Sequence, residues 1–376
     1  MNQVSRFSAG TLLYRVAQAC GNEPALVGVE GTISHRELAR LAVATLEIAT
    51  KETAHALIDI GPMLSMHTIV ASYAALLSPY TLRGCPGHSD HQRLPWLDCA
   101  GHAFRTAGWK ADLPGKVIAS RTFDAAAMQY PVSASENVAW THEALCYGWG
   151  VASPAPGSIS VMAGPVWDPI NWSALFGALI GRGRVILPGA FGTTAWMDSV
   201  IDGGATEIHL RANQLDTLPG PAARLATTVA NVCVWTRRPV ALDRLSALRG
   251  WFPNASITRI LEGPGGPITL ATLDELRTHG AAWAGVPVLG TRLSISPEGE
   301  LHLAECAFGA HRVISPASTD AEPQLWRETG IWIGSTAGQV HKLRDPPEPN
   351  MGNSMQHEPT QMRGQPSDIS RKQHHD

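Results

Sequence analysis

Apolar positions in this chain fall into short blocks whose spacing switches repeatedly between the periods of strand and helix. Ala25-Leu26-Val27-Gly28-Val29 reads as a strand, Glu30-Gly31 as a tight hairpin turn and Thr32-Ile33 as the return. Ser34 stands three residues ahead of Glu37, the spacing of a capping box, and Leu38, Leu41, Ala42, Leu46 and Ile48 follow at roughly helical intervals. Apolar strands then alternate with helical segments through residues 56–60, 68–77, 158–162, 172–180, 184–187, 196–201, 207–210, 231–235 and 242–251. Alternation of this kind predicts an α/β architecture with largely parallel strands.

From Gly285 the rhythm changes to short strands and turns, with 292–296, the turn Pro297-Glu298-Gly299 and then 300–304. We therefore expect α/β subdomains over 1–284 and a β-rich subdomain over 285–344. Residues 345–376 carry no aromatic side chain and lose apolar periodicity, which predicts a disordered tail. The stretch 83–109, rich in Gly, Pro and His, reads as a loop rather than an element. Within it, Cys85, His88 and His91 have a superficially metal-like spacing, but three such residues in a loop do not outweigh a solvated segment, and no metal ligand is assigned.

Composition narrows the function classes. The 376 residues are 44% hydrophobic and 16% charged, with 29 basic against 32 acidic side chains for a net charge of −3. Such a chain can bury a core, and without a long basic run it lacks the electrostatic footprint of a nucleic-acid or anionic-membrane binder. The longest apolar run, 68–77, is about half of what a membrane span needs. Six scattered cysteines without CxxC read as reduced thiols, and the expected location is the cytoplasm. No Gly-x-Ser-x-Gly elbow is present, and Cys146 and Cys233 have no activating neighbour in sequence.

Taken in order, several segments resemble the acyl-adenylate-forming superfamily, which holds acyl-CoA synthetases, fatty-acid AMP ligases and adenylation domains of peptide synthetases. Thr32-Ile33-Ser34-His35-Arg36-Glu37-Leu38 looks like the family's opening motif, with Ser34 and His35 replacing Thr and Tyr. Residues 181–187, 196–218 and 239–253 resemble the succeeding elements of the second α/β subdomain. Gly299-Glu300-Leu301 looks like part of the β-subdomain signature, Trp326-Arg327-Glu328-Thr329-Gly330 like the Trp-x-x-Thr-Gly-Asp segment, and Gly338 and Arg344 follow. The resemblance covers roughly residues 8–345. It implies the N-terminal core of an adenylate-forming enzyme, with two α/β subdomains and a smaller β-rich one.

Against that frame the chemistry departs from the family pattern. The resemblance places a phosphate loop at 129–142, where the family uses small residues and a Lys to present donors to ATP. Here Tyr130, Ser133 and Asn137 fall at glycine positions and Glu136 at the lysine position. A carboxylate about 4 Å from a phosphate charge costs roughly 4 kcal/mol at an effective dielectric near 20. Glu262-Gly263-Pro264-Gly265-Gly266 replaces Tyr-Gly-x-Thr-Glu, so Gly266 stands where the family's Glu helps to hold the metal ion. Ile331 stands where an Asp would bind ribose, and Thr236-Arg237-Arg238-Pro239 replaces the Gly-Gly-x-Pro turn beside adenine. Asp168 takes the aromatic or His position on the substrate side. The family's C-terminal lid subdomain, with its catalytic Lys, is expected to be lacking.

The resemblance thus implies a vestigial nucleotide site of Ser133, Ser135, Glu136, Asn137, Gly263, Gly265, Gly266, Thr329, Ile331 and Arg344. On the substrate side it implies Trp167, Asp168, Trp172 and Arg237. No catalytic residue is assigned and no cofactor is expected to bind tightly; ATP or AMP with Mg would serve any retained activity. Gly263 to Gly266 reads either as a nucleotide-facing loop or as a plain turn between a strand and a helix. His142 reads as a pocket vestige or as an early-turn residue, and Trp140, Trp149, Trp167 and Trp172 as core or as the lining of an apolar pocket. The expected function is a pseudoenzyme of fatty-acid metabolism, an accessory that binds a small acyl or carboxylic-acid ligand, an acyl-carrier protein or a pathway ligase. Alternatives are an active ligase completed in trans by a separate C-terminal domain, and a structural interaction protein with a filled cleft.

Overall fold

A computed structural model describes residues 8–52, 57–60, 64–78, 80–84, 95–106, 126–133, 136–142, 145–146, 155–164, 166, 168–219, 224–263, 266–288, 293–296, 300–304, 312–314, 326–337 and 340–344. These elements belong to one compact unit, Met1–Asp345. The metal-like trio Cys85, His88 and His91, together with Trp149, Trp167, Ser135, Gly265 and the 345–376 tail, lies outside the described residues.

The opening hairpin forms as its sequence dictates. Strands β1 (Pro24–Gly28) and β2 (Gly31–Ser34) pair antiparallel, with Gly31 at φ +123° in a conformation that glycine tolerates best. Helix α2 (His35–Glu52) then starts on the capping box: Glu37 Oε2 accepts from the Ser34 backbone N–H at 2.7 Å, and Ser34 Oγ accepts from the Glu37 N–H at 3.3 Å. Replacing Ser34 with alanine is expected to cost about 1 kcal/mol of stability, read in chemical denaturation. Helices α1 (Ala9–Ala19) and α3 (Met66–Leu76) start on simpler caps, Ser8 Oγ accepting from the Thr11 N–H and Ser65 Oγ from the Thr68 N–H, both at 3.2 Å.

One expectation is corrected here. Residues 83–109 are not simply loop: Thr81–Gly84 forms strand β4 and Pro95–Thr106 forms helix α4. Pro95 suits a first helical turn, Asp98 adds a favourable charge there, and Cys99, Ala100 and Ala103 are buried on one face. The small residues along this stretch masked an ordinary amphipathic helix that gains its stability by packing on α2 and α3.

Strands β3 (Leu57–Ile60), β4, β5 (Ala126–Ser133) and β6 (Glu136–Thr141) join β16 (Arg312–Ile314) in a five-stranded sheet ordered β16-β6-β5-β4-β3. The larger sheet has nine strands. Its β7 (Ile159–Val161), β8 (Arg184–Ile186), β9 (Glu207–Arg211), β10 (Asn231–Thr236), β11 (Ser256–Gly263), β12 (Gly266–Thr272) and β13 (Val286–Pro287) take the order β13-β12-β11-β10-β9-β7-β8-β1-β2. Strands β1, β8, β7, β9, β10 and β11 run parallel, as the alternating pattern predicts. A third sheet, β14 (Leu293–Ile295), β15 (Glu300–Ala304), β17 (Trp326–Ala337) and β18 (Val340–Arg344), is antiparallel.

Helix α5 (Pro169–Ile180) is apolar nearly all round and is buried accordingly, sharing one core with α1 to α4 and with residues of both larger sheets, among them Leu26, Leu82, Met128, Trp140 and Val185. Helices α6 (Thr194–Asp202), α7 (Leu242–Ala247) and α8 (Leu273–His279) contribute to a second core, with Val161, Ile208, Val232 and Ile257 of the nine-stranded sheet. Chain order sets the important feature: after β7 the chain passes through α5 to β8 on one side, then through α6 to β9 on the other. The β7/β9 junction is thus a topological switch point, where open α/β sheets form a crevice beyond the carboxyl ends of their strands.

Candidate functional site

Three side chains from distant parts of the sequence meet at that switch point. Asp168, after β7, is the N-cap of α5: its Oδ1 accepts from the Ile170 N–H at 3.0 Å, and Pro169 opens the helix. Arg211 ends β9, and Glu262 lies next to the end of β11. Arg211 Nε donates to Asp168 Oδ2 and Nη2 to Asp168 Oδ1, both at 2.7 Å, while Nη1 donates to Glu262 Oε1 at 2.7 Å. One fork thus binds Asp168 bidentately and a second carboxylate besides, the geometry in which guanidinium pairing is strongest. The Arg211 backbone N–H is held by Gln214 Oε1 at 2.7 Å, and Gln214 in turn donates to the Ala163 carbonyl.

The electrostatics follow from partial burial. The side chains of Asp168 and Glu262 are each only 10% exposed, and that of Arg211 is 35% exposed. Burial opposes the Arg211 charge, but the hydrogen bonds and charges of Asp168 and Glu262 outweigh it and hold the guanidinium protonated beyond its usual range. Burial pushes the Glu262 carboxyl up, more than Arg211 and Arg237 pull it down.

The sequence-expected residues divide into several places. Asp168 is in the cluster, and Arg237, exposed just past β10, acts electrostatically on Glu262. Trp172 lies one turn into α5, fully buried, with its ring 4.5 Å from that of Phe176. Ser133 ends β5 and Glu136 and Asn137 begin β6, so the described part of the expected phosphate loop lies mostly within two antiparallel strands of the five-stranded sheet. Thr329 and Ile331 lie in β17, and Arg344 ends β18. Gly263 and Gly266 pair across a hairpin joining β11 to β12, which corrects the reading of a turn between a strand and a helix. His142 is fully buried, and its Nδ1 accepts from the Ala9 N–H at 3.3 Å, supporting the start of α1.

Gly266 also bears on the metal. Its φ is +118°, and a Cβ built there would lie 3.4 Å from the Trp140 ring. A carboxylate side chain would be strained by the backbone conformation at this position, and the neighbouring Glu262 is bound to Arg211. The residues present here therefore do not fit a divalent cation.

A second buried set lies deeper on the same sheet. Glu207 Oε1, His209 and Cys233 have donor atoms within 4.8 Å of one another. Their hydrogen bonding already commits them: Trp235 Nε1 donates to His209 Nδ1 at 3.1 Å, so the neutral imidazole carries its proton on Nε2 and gives it to Glu207 at 2.6 Å. A metal on Nε2 would set a protonated Nδ1 against the indole N–H, so this trio reads as a satisfied polar core. Burial, reinforced by Glu207, pushes the Cys233 thiol well up, consistent with an inert cysteine.

No family model and no curated protein matches the sequence. Solved structures do. VinN in complex with L-aspartate superposes with a TM-score of 0.72 at 15% identity, over 90% of this chain and 98% of that one. Unliganded O-succinylbenzoate coenzyme A synthetase from Bacillus subtilis gives 0.72 at 15%, over 89% and 78%. The N-terminal domain of FACL13 from Mycobacterium tuberculosis gives 0.73 at 14%, over 90% and 100%. The chain has the N-terminal core fold of adenylate-forming enzymes. Within that fold, Arg211 and Glu262 are the site residues that sequence reasoning missed. Glu262 was visible only as a replaced tyrosine, and Arg211 only as a charge closing the apolar block 207–210; a charge at the carboxyl end of a buried parallel strand is the signal that could have found it.

Proposed function

We propose that this chain is an acyl-CoA synthetase- or AMP-ligase-like protein in which adenylation is impaired or lost, acting as a non-catalytic accessory in the cytoplasm. It binds a small acyl or carboxylic-acid ligand and works beside a carrier protein or a pathway ligase. The observation that carries the reading is the Arg211–Asp168–Glu262 cluster. It sets three of the protein's own charges, Arg211 paired with both carboxylates, at the β7/β9 switch point, where the family pattern calls for uncharged or ligand-facing positions. Gly266 supports it, since that position carries no carboxylate and the hairpin's Glu262 is already engaged by Arg211. A carboxylic-acid ligand is favoured by the neighbours, one of which is bound to L-aspartate while another is named for O-succinylbenzoate.

The test is carboxylate-dependent exchange of pyrophosphate into ATP across a panel of short, aromatic and long-chain acids. The expected result is no exchange above background, with and without Mg. Exchange with any one acid at rates normal for an adenylating enzyme would sink the proposal.

A further inference from the structure

Beside the switch-point cluster, an open groove of about 420 Å³ runs along the carboxyl ends of β9 and β10, lined among others by Asn213, Asp216, Thr236, Arg237, Arg238 and Arg244. Three guanidiniums face one carboxylate there. Arg244 Nη2 donates to Asp216 Oδ2 at 2.6 Å and to the Ala212 carbonyl at 3.2 Å. The turn carrying the other two is hydrogen-bonded internally: Thr236 Oγ1 donates to the Arg238 carbonyl at 2.8 Å and accepts from the Arg238 N–H at 3.1 Å. Pro239 follows and Val240 is buried, anchoring the far side. Among the described residues the side chains of Arg237 and Arg238 make no hydrogen bond or ion pair.

We propose that this groove is a metal-independent binding site for a small oxyanion-bearing molecule. Arg237 and Arg238 supply the contacts, and Arg244 paired with Asp216 forms one wall. A guanidinium presents paired donors matched to the oxygens of a phosphate or carboxylate and neutralises charge without a cation. The groove's position beyond the carboxyl ends of parallel strands is where α/β sheets place ligands, and its lining by three arginines around one carboxylate suits a small anion. Part of the Arg237 charge is directed at Glu262, and Arg211 already satisfies that carboxylate, so the groove retains positive excess.

The inference deepens the accessory reading above by assigning it a recognised group and a place. Its test is separate from pyrophosphate exchange, so one can fail while the other stands. Binding of AMP, inorganic pyrophosphate and succinate to the full chain would be followed by isothermal titration calorimetry in EDTA and again with Mg. Binding of at least one probe in EDTA is expected, weakening as salt rises and falling at least tenfold in the double variant Arg237→Ala/Arg238→Ala. Both side chains are exposed, so that variant is expected to melt at the wild-type temperature, and Arg237→Lys/Arg238→Lys provides a second variant that keeps the charge but loses the fork. AMP or pyrophosphate preferred over succinate assigns a phosphate ligand, and the reverse assigns a carboxylate. No binding of any probe at millimolar concentration, binding that requires Mg, or equal binding to the double alanine variant would each overturn it.

Discussion

Replacing Arg259 with alanine is expected to destabilise the protein by about 2–4 kcal/mol, seen as a lower urea midpoint with an unchanged slope. Arg259 sits on β11 with 1% of its surface exposed, and among the described residues it has no carboxylate partner. Burial lowers its pKa to about 10, which corresponds to roughly 3 kcal/mol against the charged form. The charge is kept because Nη1 donates to the Ala281 carbonyl at 2.9 Å and Nη2 to the Trp283 carbonyl, charge-assisted bonds worth roughly 1.5–3 kcal/mol each. These bonds hold the segment after α8 against the sheet. Alanine loses both and leaves a cavity. Methionine fills the volume and removes the desolvation cost, so Arg259→Met is expected to lose less than half as much. Equal losses in the two variants would show that the carbonyl contacts, not the volume, carry the effect. A loss under 1 kcal/mol in both would refute the argument. Because the folded pKa is depressed, the native protein should gain stability from this group only as pH rises above about 10.

The second large effect is expected at Arg211. Arg211→Ala leaves Asp168 and Glu262 as two nearly buried carboxylates without their shared counter-charge. Breaking a buried pair costs about 3–5 kcal/mol, and the partial exposure of Arg211 lowers the expectation to roughly 2–3 kcal/mol at neutral pH. The loss should depend on pH with a definite sign. Burial already raises the Glu262 carboxyl, so the folded state holds that proton more tightly than the unfolded state does, and stability is lost as pH rises through the folded value. Without Arg211 the rise is greater, so the variant should be closest to wild type near pH 5 and furthest from it above pH 7. Chemical denaturation at the two pH values checks this. Arg211→Lys should recover only part of the loss, because an ammonium cannot bind Asp168 bidentately and reach Glu262 together. A pH-independent loss would argue that Arg211 acts through packing alone.

Local structure was legible wherever a signal was short-range. The capping box of Ser34 and Glu37, the Glu30-Gly31 turn and the alternation of apolar blocks through residue 251 all correspond to elements in the structure, since hydrogen bonds and side-chain periodicity over a few residues decide them. Helix α4 was hidden because its small residues carry a weak apolar period and its stability comes from packing on α2 and α3. The hairpin across Gly263 and Gly266 was misjudged for a similar reason: the strand that follows it is decided by pairing with β11.

The sequence by itself determined the α/β class and the start of helix α2, because each depends on residue type and near neighbours. Only the tertiary structure decided that Asp168, Arg211 and Glu262 form one satisfied cluster, with Arg211 43 residues from Asp168 and 51 from Glu262. It alone brought the Arg237-Arg238 turn beside Arg244 and Asp216 in one groove. Strand order brings distant chain segments to a common sheet edge, and no local pattern encodes that order.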